Sequence, residues 1–258
     1  MKFLPKRWIG PGLGAALLGV AGLAACGGEQ AAPPVAADQS AHVAASGGGE
    51  GEGAAAPAGS PMQMLSTEKR LALLSGHVVT GLALYRAGEP GEAAHHLKHP
   101  VAEEYADEQA GLDGFGFKPD VFRQVSAELE AGKPASEIEP LLAEAETNLT
   151  EMRAAAGGDP KGLIEFLMKS LADRYDAGVD TSTIVSPGDY QDAYGFAVVA
   201  RDMAAAQDPA FYGPLKLELD LLVLMWPRKG PVSTSLPPPE FQMAEQLARV
   251  KLALATLP

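Results

Sequence analysis

Cysteine is nearly absent from this chain, which has 258 residues and a single Cys at position 26. One cysteine excludes a disulfide framework, a zinc site built from cysteines, a cysteine-ligated iron–sulfur cluster and covalently attached c-type haem. Aromatic residues make up only 6% of the chain. The mixture of Val, Ile, Tyr and Phe that strands favour is also scarce. The composition therefore predicts helices rather than sheet.

Basic residues are few as well, since 20 Lys and Arg stand against 33 Asp and Glu, and the formal charge is −13. A surface this acidic repels phosphates, which excludes nucleic acid as a partner. The sequence also lacks Gly-x-Ser-x-Gly, His-Glu-x-x-His, a Walker loop and Gly-x-Gly-x-x-Gly. We therefore predict a protein that is not an enzyme, with a metal-dependent hydrolase or oxidase as the minor alternative.

The first 25 residues have the pattern of a signal peptide. Lys2, Lys6 and Arg7 form a basic start, and Ile9–Gly22 follows without any charge. This apolar stretch is too short for a permanent membrane span and is typical of a signal h-region. The segment Leu23–Cys26 that ends it resembles the lipobox of bacterial lipoproteins. The alternative is an ordinary secretory signal that contains a cysteine.

The lipobox resemblance implies that Cys26 is lipidated and becomes the mature N-terminus. Because Gly27 rather than Asp follows, it also implies the periplasmic side of the outer membrane in a Gram-negative host. Removal of residues 1–25 takes away three basic and no acidic side chains, so the formal charge becomes −16. No later apolar run approaches 18 residues, so we expect no further membrane span.

Residues 26–61 are predicted to form a disordered tether. They are dominated by Ala, Gly, Ser, Pro, Glu and Gln, with no aromatic residue, leucine or isoleucine. Such a segment buries too little apolar surface to offset its loss of entropy on ordering. About 35 flexible residues span on the order of 30–35 Å, which would hold residues 62–258 away from the membrane.

Residues 62–258 carry the signals of an all-α domain. We expect an antiparallel bundle of about eight helices, arranged as one bundle or as two four-helix layers. The segment ending at Trp226 is apolar nearly all round, which predicts a helix buried in the middle of the protein. The expected helices are 66–87, 92–112 with a kink or break at Pro100, 119–130, 136–156, 160–177, 187–206, 209–226 and 240–257, with loops at 178–188 and 227–239.

Four histidines lie within 23 residues on two consecutive predicted helices: His77, His95, His96 and His99. On the second helix, Glu92, one of the adjacent histidines, His99 and Glu103 recur every three or four residues and share one face. A short link makes the two helices antiparallel neighbours, so His77 can face this row. Bundles build metal sites from such residues, and imidazole with carboxylate suits iron, zinc or copper.

Two other interpretations of these histidines stay open. They can form a structural polar cluster around Pro100, or they can be ordinary polar residues of a helix surface. His95 and His96 are adjacent and point about 100° apart, so only one of them can face a common site. The other is then exposed or supports the site from outside.

The stretch Tyr175–Gly178, then Ile184-Val185, then Asp189–Phe196 resembles helical periplasmic domains of bacterial iron uptake. These are the imelysin-like proteins and the extracytoplasmic domain of some iron permeases. The Gly-x-His-x-x-Glu motif of imelysin-like proteins is missing here, so its ligands are not transferred. The resemblance marks Tyr190 and Asp192 as a candidate second polar site; the alternative is that the aromatic residues of this stretch belong to the core.

The sequence thus favours a lipid-anchored extracytoplasmic protein that binds a transition metal, in iron or copper acquisition or homeostasis. Its expected partners are the membrane, through the lipid, and an envelope metal-transport component. The alternative is a non-catalytic envelope lipoprotein whose acidic surface docks a basic protein.

Lipidation is tested by replacing Cys26 with Ser. The thiol accepts the lipid, so labelled fatty acid should enter the wild-type protein and be lost from the Cys26→Ser variant. Labelling is measured in cells that express each form, and equal labelling of the two would contradict the lipoprotein interpretation.

Overall fold

A computed structural model describes residues 62–258 and confirms the all-α class. The predicted signal peptide, Cys26 and tether lie outside the described residues. Within these residues the helices are α1 (Thr67–Ala87), α2 (Pro90–Lys98), α3 (Ala106–Gln109), α4 (Pro119–Glu130), α5 (Glu139–Ala156), α6 (Pro160–Gly178), α7 (Pro187–Ala205), α8 (Pro209–Val223) and α9 (Glu240–Ala255). Short 3₁₀ helices cover Glu103–Tyr105, Leu112–Phe115 and Ala135–Glu137.

Local sequence signals set several helix ends. Asp159 begins α6 by accepting hydrogen bonds from the backbone N–H groups of Lys161 and Gly162, and Asp208 begins α8 in the same way. Each is followed by a proline at the first helical position, where a missing N–H costs nothing. Gly88 ends α1 with a φ of 85°, a left-handed conformation that glycine adopts without strain. These three boundaries confirm the sequence prediction.

The connection predicted as a plain loop at 178–188 instead contains a small hairpin. Strand β1 (Val179–Asp180) pairs antiparallel with β2 (Thr183–Ile184). The two residues between them, Thr181 and Ser182, have φ values of 48° and 60°. Two positive φ angles give the turn whose twist matches that of paired strands, which explains why so short a ladder forms.

The helix predicted over 92–112 is broken near Pro100. Helix α2 ends at Lys98, and the chain turns through a 3₁₀ helix before the four-residue α3. Proline lacks an N–H and clashes with the preceding helical turn, so the helix cannot continue. The Gln109 side chain fixes the turn by donating to the carbonyls of His99 at 3.0 Å and Ala102 at 2.8 Å.

Two large hydrophobic cores share helix α1, which also contributes Leu71 and Leu74 to a smaller third cluster. One core joins α1 to α6, α7, α8 and α9, around Tyr175, Tyr190 and Phe196. The other joins α1 to α2, α4 and α5, around Leu82 and Phe122. The four-helix group α6–α9 matches one predicted layer, whereas the second group combines three helices with short 3₁₀ segments. Helix α1 therefore packs in both cores and connects the two groups of helices.

The prediction that the seventh helix is buried all round is wrong. In α8, Leu215, Leu219 and Leu222 are buried, but Leu217 and Leu221 are 58% and 44% exposed. The helix lies at the outside of the α6–α9 group, so only one of its apolar faces meets the core. Among residues 62–258, no helix combines the length and apolar character that crossing a membrane requires.

Glycines bring α1 and α7 into close contact. A Cβ on Gly195 would overlap the backbone carbonyl of Gly76 and the Thr80 hydroxyl, and a Cβ on Gly76 would overlap the Phe196 ring. Thr80 Oγ1 also donates to the Gln191 carbonyl on α7 at 3.0 Å. Because neither glycine carries a side chain at the crossing, the two backbones approach closely enough for polar side chains to meet across them.

Gly195→Ala should test this contact. The added methyl would meet backbone that cannot move aside, so we expect a loss of about 3 kcal/mol in the free energy of unfolding, at the upper end of overpacking effects. The matched control is Gly188→Ala in the first turn of α7, where nothing lies within 4 Å of the new Cβ. It should be neutral or stabilising by up to ~1 kcal/mol. Urea unfolding followed by circular dichroism measures both; equal stability of the two variants would contradict the close contact.

Candidate metal centre

Four helices bring three histidines and two carboxylates together inside the protein. The members of this His–carboxylate cluster are His77 from α1, His96 from α2, His99 at the end of α2, Glu108 from α3 and Asp192 from α7. They form two sets that share His77, namely His77–His96–Asp192 and His77–His99–Glu108. Within each set, one ligand atom from every residue lies within 4.8 Å of the others. The His96 side chain is only 1% exposed.

Asp192 is the acceptor at the centre of the first set. Its Oδ1 accepts a hydrogen bond from His77 Nδ1 at 2.7 Å. His96 Nδ1 lies 3.3 Å from the same oxygen, but the two atoms are not aligned for a hydrogen bond. This ring nitrogen is buried and has no hydrogen-bond partner. Buried polar atoms in native proteins are rarely left unpaired.

The other nitrogen of His96 contacts α7 one residue earlier. His96 Nε2 lies 2.9 Å from Gln191 Oε1, and the Gln191 amide donates from Nε2 to Glu92. A carboxylate only accepts, so the amino end of Gln191 faces Glu92 and its carbonyl faces His96. Since that carbonyl also only accepts, His96 Nε2 carries the proton of this bond.

Glu108 orients the second set. His99 Nδ1 donates to Glu108 Oε2 at 2.9 Å. The His99 ring stacks between His77, at 3.9 Å between ring centroids, and Tyr105, at 3.8 Å. Burial and the nearby acidic residues raise the pKa of Tyr105 to about 12. The phenol therefore stays neutral and serves as an aromatic cover for the imidazole.

One cation borders the cluster. Arg174 of α6 places Nε 3.9 Å from Asp192 Oδ2 and pairs with Asp189. Asp189 also accepts from Ser186 Oγ at 2.7 Å. Burial lowers the pKa of Arg174, but the charge of Asp192 and the hydrogen bond to Asp189 outweigh it and raise the pKa overall. A permanent positive charge therefore lies behind the carboxylate.

Protonation differs between the stacked histidines. Burial lowers the pKa of His77, but the Asp192 carboxylate outweighs this effect and leaves the pKa raised. Burial, with the charge of His77, lowers the pKa of His99 to about 4. Burial raises the pKa of Asp192, but the charge and hydrogen bond of His77 overcome it and hold that pKa well below its usual value. Asp192 is thus ionised, and His99 is neutral at ordinary pH.

The predicted site residues separate into two groups. His77, His96 and His99 come together as expected, and of the adjacent pair His96 is buried while His95 is exposed. Glu103 lies exposed in a 3₁₀ helix and belongs to neither set. The broken helix explains this, since the i+4 row stops at Lys98.

The two residues of the candidate second polar site lie in different surroundings. Asp192 belongs to the histidine cluster. Tyr190 is fully buried in the α6–α9 core, with its ring 6.3 Å from Tyr175 and 6.2 Å from Trp226. The alternative that Tyr190 is a core aromatic residue therefore describes its position.

Glu108, Gln191 and Arg174 were not identified from the sequence. Glu108 reaches His99 only because the chain reverses after Pro100, and no periodicity signals that reversal. Gln191 and Arg174 lie in helices far along the chain from the histidines. The one available signal was a pair of polar residues, Gln191 and Asp192, at the start of the largely apolar stretch 190–200 of α7.

The chain shows no significant similarity to known proteins or protein families. No protein-family model matches the chain, and neither the curated proteins nor the solved structures contain a significant match.

The lowered pKa of His99 predicts an acid-sensitive fold. In the unfolded chain His99 binds a proton below its ordinary pKa of about 6.5, but in the folded protein only below about 4. Between these values the unfolded state holds more protons, so stability falls as the pH falls. This group should remove up to ~3 kcal/mol from the free energy of unfolding across the window, at 1.36 kcal/mol per pH unit. His99→Gln should flatten the curve, measured by urea unfolding in chelator at several pH values.

His95→Gln, at an exposed position, is the matched control and should keep the wild-type pH dependence. An unchanged acid slope in His99→Gln would contradict the buried neutral state of this imidazole.

Proposed function

We propose that this protein binds a single divalent transition-metal ion at the His–carboxylate cluster, as a lipid-anchored protein of metal acquisition or homeostasis. The observation that carries the proposal is the unshared contact between His96 Nδ1 and Asp192 Oδ1 at 3.3 Å. His96 Nε2 holds its proton against Gln191, so in the neutral ring Nδ1 presents a lone pair. Asp192 Oδ1 presents another.

Two lone pairs that face each other in a buried site repel, and a positive centre relieves the repulsion. A cation bound by both atoms does so, as does a second proton on His96. Asp192 already accepts the His77 proton at 2.7 Å, so protonated His96 would place two imidazolium-type donors on one oxygen. A carboxylate oxygen can accept both of these hydrogen bonds; a metal ion would use the lone pairs of His96 Nδ1 and Asp192 Oδ1 as ligands, and this is the state we propose.

The donor set favours borderline ions. Both sets consist of imidazole nitrogen and carboxylate oxygen, a combination that suits Fe²⁺ and Zn²⁺ and also accepts Cu²⁺. Cu(I) prefers thiolate or thioether sulfur, which neither set supplies. One ring nitrogen of each histidine is hydrogen-bonded to a side chain: His77 to Asp192, His96 to Gln191 and His99 to Glu108. Hydrogen bonds of this kind orient metal-binding imidazoles in proteins.

Charge limits the occupancy to one ion. Asp192, Glu108 and Asp189 supply three negative charges, and Arg174, which pairs with Asp189 and lies 3.9 Å from Asp192, returns one positive charge. One divalent ion leaves the group about neutral, whereas two would leave a net charge of about +2 in a buried volume, where repulsion is weakly screened. The two sets that share His77 are therefore alternative or adjoining ligands of one ion.

The biological setting of the proposal comes from the N-terminal segment and from the iron-uptake resemblance. Lipidation at Cys26 would keep the domain at the envelope, on the periplasmic side of the outer membrane in a Gram-negative host. The resemblance of Tyr175–Phe196 to iron-uptake domains favours iron as the physiological ion. His95 is exposed, and its ring lies 5.5 Å from that of His96.

Calorimetric titration of the chelator-treated protein with Fe²⁺ (without oxygen), Zn²⁺ and Cu²⁺ tests the proposal. At least one ion should bind with a Kd below ~10 µM, about −7 kcal/mol, and a stoichiometry of one. His77→Ala, His96→Ala and Asp192→Asn should each weaken binding by at least ~10- to 100-fold, because losing even an outer partner of a ligand has that effect.

Two glutamates of the same short segment provide a matched control. Glu108→Gln should weaken binding, whereas Glu103→Gln, which changes an exposed residue outside both sets, should not. Absence of binding by all three ions, or equal effects of the two glutamate variants, would refute the metal site. The cluster would then be the structural polar cluster that the sequence also allowed.

A further inference from the structure

A chain of hydrogen bonds connects the cluster to the crossing loop, residues 227–239. Ser233 of this loop donates to Glu92 twice, from its backbone N–H to Oε2 at 3.1 Å and from its hydroxyl to Oε1 at 2.6 Å. Gln191 donates its amide N–H to the same Oε2 and presents its carbonyl to His96 Nε2 at 2.9 Å. The side chains of Gln191 and His96 are buried, so water does not compete with these bonds.

Each group in this chain has a fixed role. A backbone N–H can only donate and a carboxylate can only accept, so Ser233 and Glu92 leave one orientation for the Gln191 amide. That orientation directs a carbonyl at His96 Nε2. An acceptor faces each ring nitrogen of His96: Asp192 Oδ1 faces Nδ1 and Gln191 Oε1 faces Nε2. The ring alone therefore does not select between its two neutral tautomers.

We infer that Glu92, acting through Gln191, is the positioning residue that keeps His96 in the Nε2–H tautomer and so makes Nδ1 the metal ligand. The tautomer part of this inference stands on the hydrogen bonds alone, and its consequence for metal rests on the proposed function. If the amide turned over, its amino group would face Nε2, the proton would reside on Nδ1, and Asp192 would accept it. The ligand atom would then be blocked.

Three variants separate this role from a general effect on folding. Glu92→Ala frees the Gln191 amide to turn over. Gln191→Met removes the amide and leaves Asp192 as the acceptor that faces the ring. Glu92→Gln removes the charge but keeps the geometry, because the Ser233 backbone N–H requires the new amide oxygen at the Oε2 position, where it still accepts from Gln191. The conservative variant should therefore rescue the tautomer.

The matched control is Gln246→Ala. Gln246 also donates to a glutamate, Glu218 Oε2 at 2.9 Å and its backbone carbonyl at 2.8 Å. It joins α9 to α8, which carry no residue of the cluster. This variant loses an amide–carboxylate contact of the same kind without touching His96.

The readout is the pair of ring ¹⁵N chemical shifts of His96 in metal-free, chelator-treated protein at about pH 8. The resonances are assigned with His96→Gln. Wild type, Glu92→Gln and Gln246→Ala should show the Nε2–H tautomer. Glu92→Ala and Gln191→Met should shift to Nδ1–H. Persistence of Nε2–H in both of these variants would overturn the inference.

Zn²⁺ titration of the same proteins gives the functional arm. Glu92→Ala and Gln191→Met should bind ~10- to 100-fold more weakly, the usual effect of losing an outer partner, while Glu92→Gln and Gln246→Ala should stay within about threefold of wild type. Equal losses of Zn²⁺ affinity in Gln191→Met and Gln246→Ala would also overturn the inference. If wild type binds no metal, the proposed function fails, and the tautomers still decide whether Glu92 positions His96.

Discussion

The crossing of α1 and α7 is the constraint on which the rest of the structure depends. Gly76 and Gly195 let the two backbones meet, and that approach allows His77 to reach Asp192 at 2.7 Å. Because α1 contributes to both large hydrophobic cores, the same crossing also joins the two halves of the fold. Packing and polar chemistry are therefore fixed by a single contact between small residues.

The buried charges are not explained by stability alone. Ionised side chains lose hydration on burial, and an apolar core of the same volume is often as stable or more so. Here Asp192 and Glu108 are kept ionised by imidazoles and by Arg174. An interior that keeps several titratable groups in contact gives up stability that simple packing would provide, which is the pattern found at functional sites.

Local features were predictable from the sequence and long-range ones were not. The helix ends at Gly88 and Asp159 followed from the conformational preferences of those residues. The meeting of His77 with the second helix followed from spacing and a short link. Glu108 did not, since its contact with His99 depends on a chain reversal. The outward leucines of α8, such as Leu217, show a related limit: hydrophobicity tells how apolar a helix is but not which neighbours are present to cover it.

His77 and Asp192 are 115 residues apart in the chain, and this separation bears on how the protein is made. Contacts between distant segments close large loops and form late in folding. During synthesis, α1 to α3 emerge long before α7, so the residues of the His77–His99–Glu108 set are made well before Asp192. The full His–carboxylate cluster therefore forms only after α7 has packed against α1, and a chain that ends before Asp192 lacks the acceptor that binds His77.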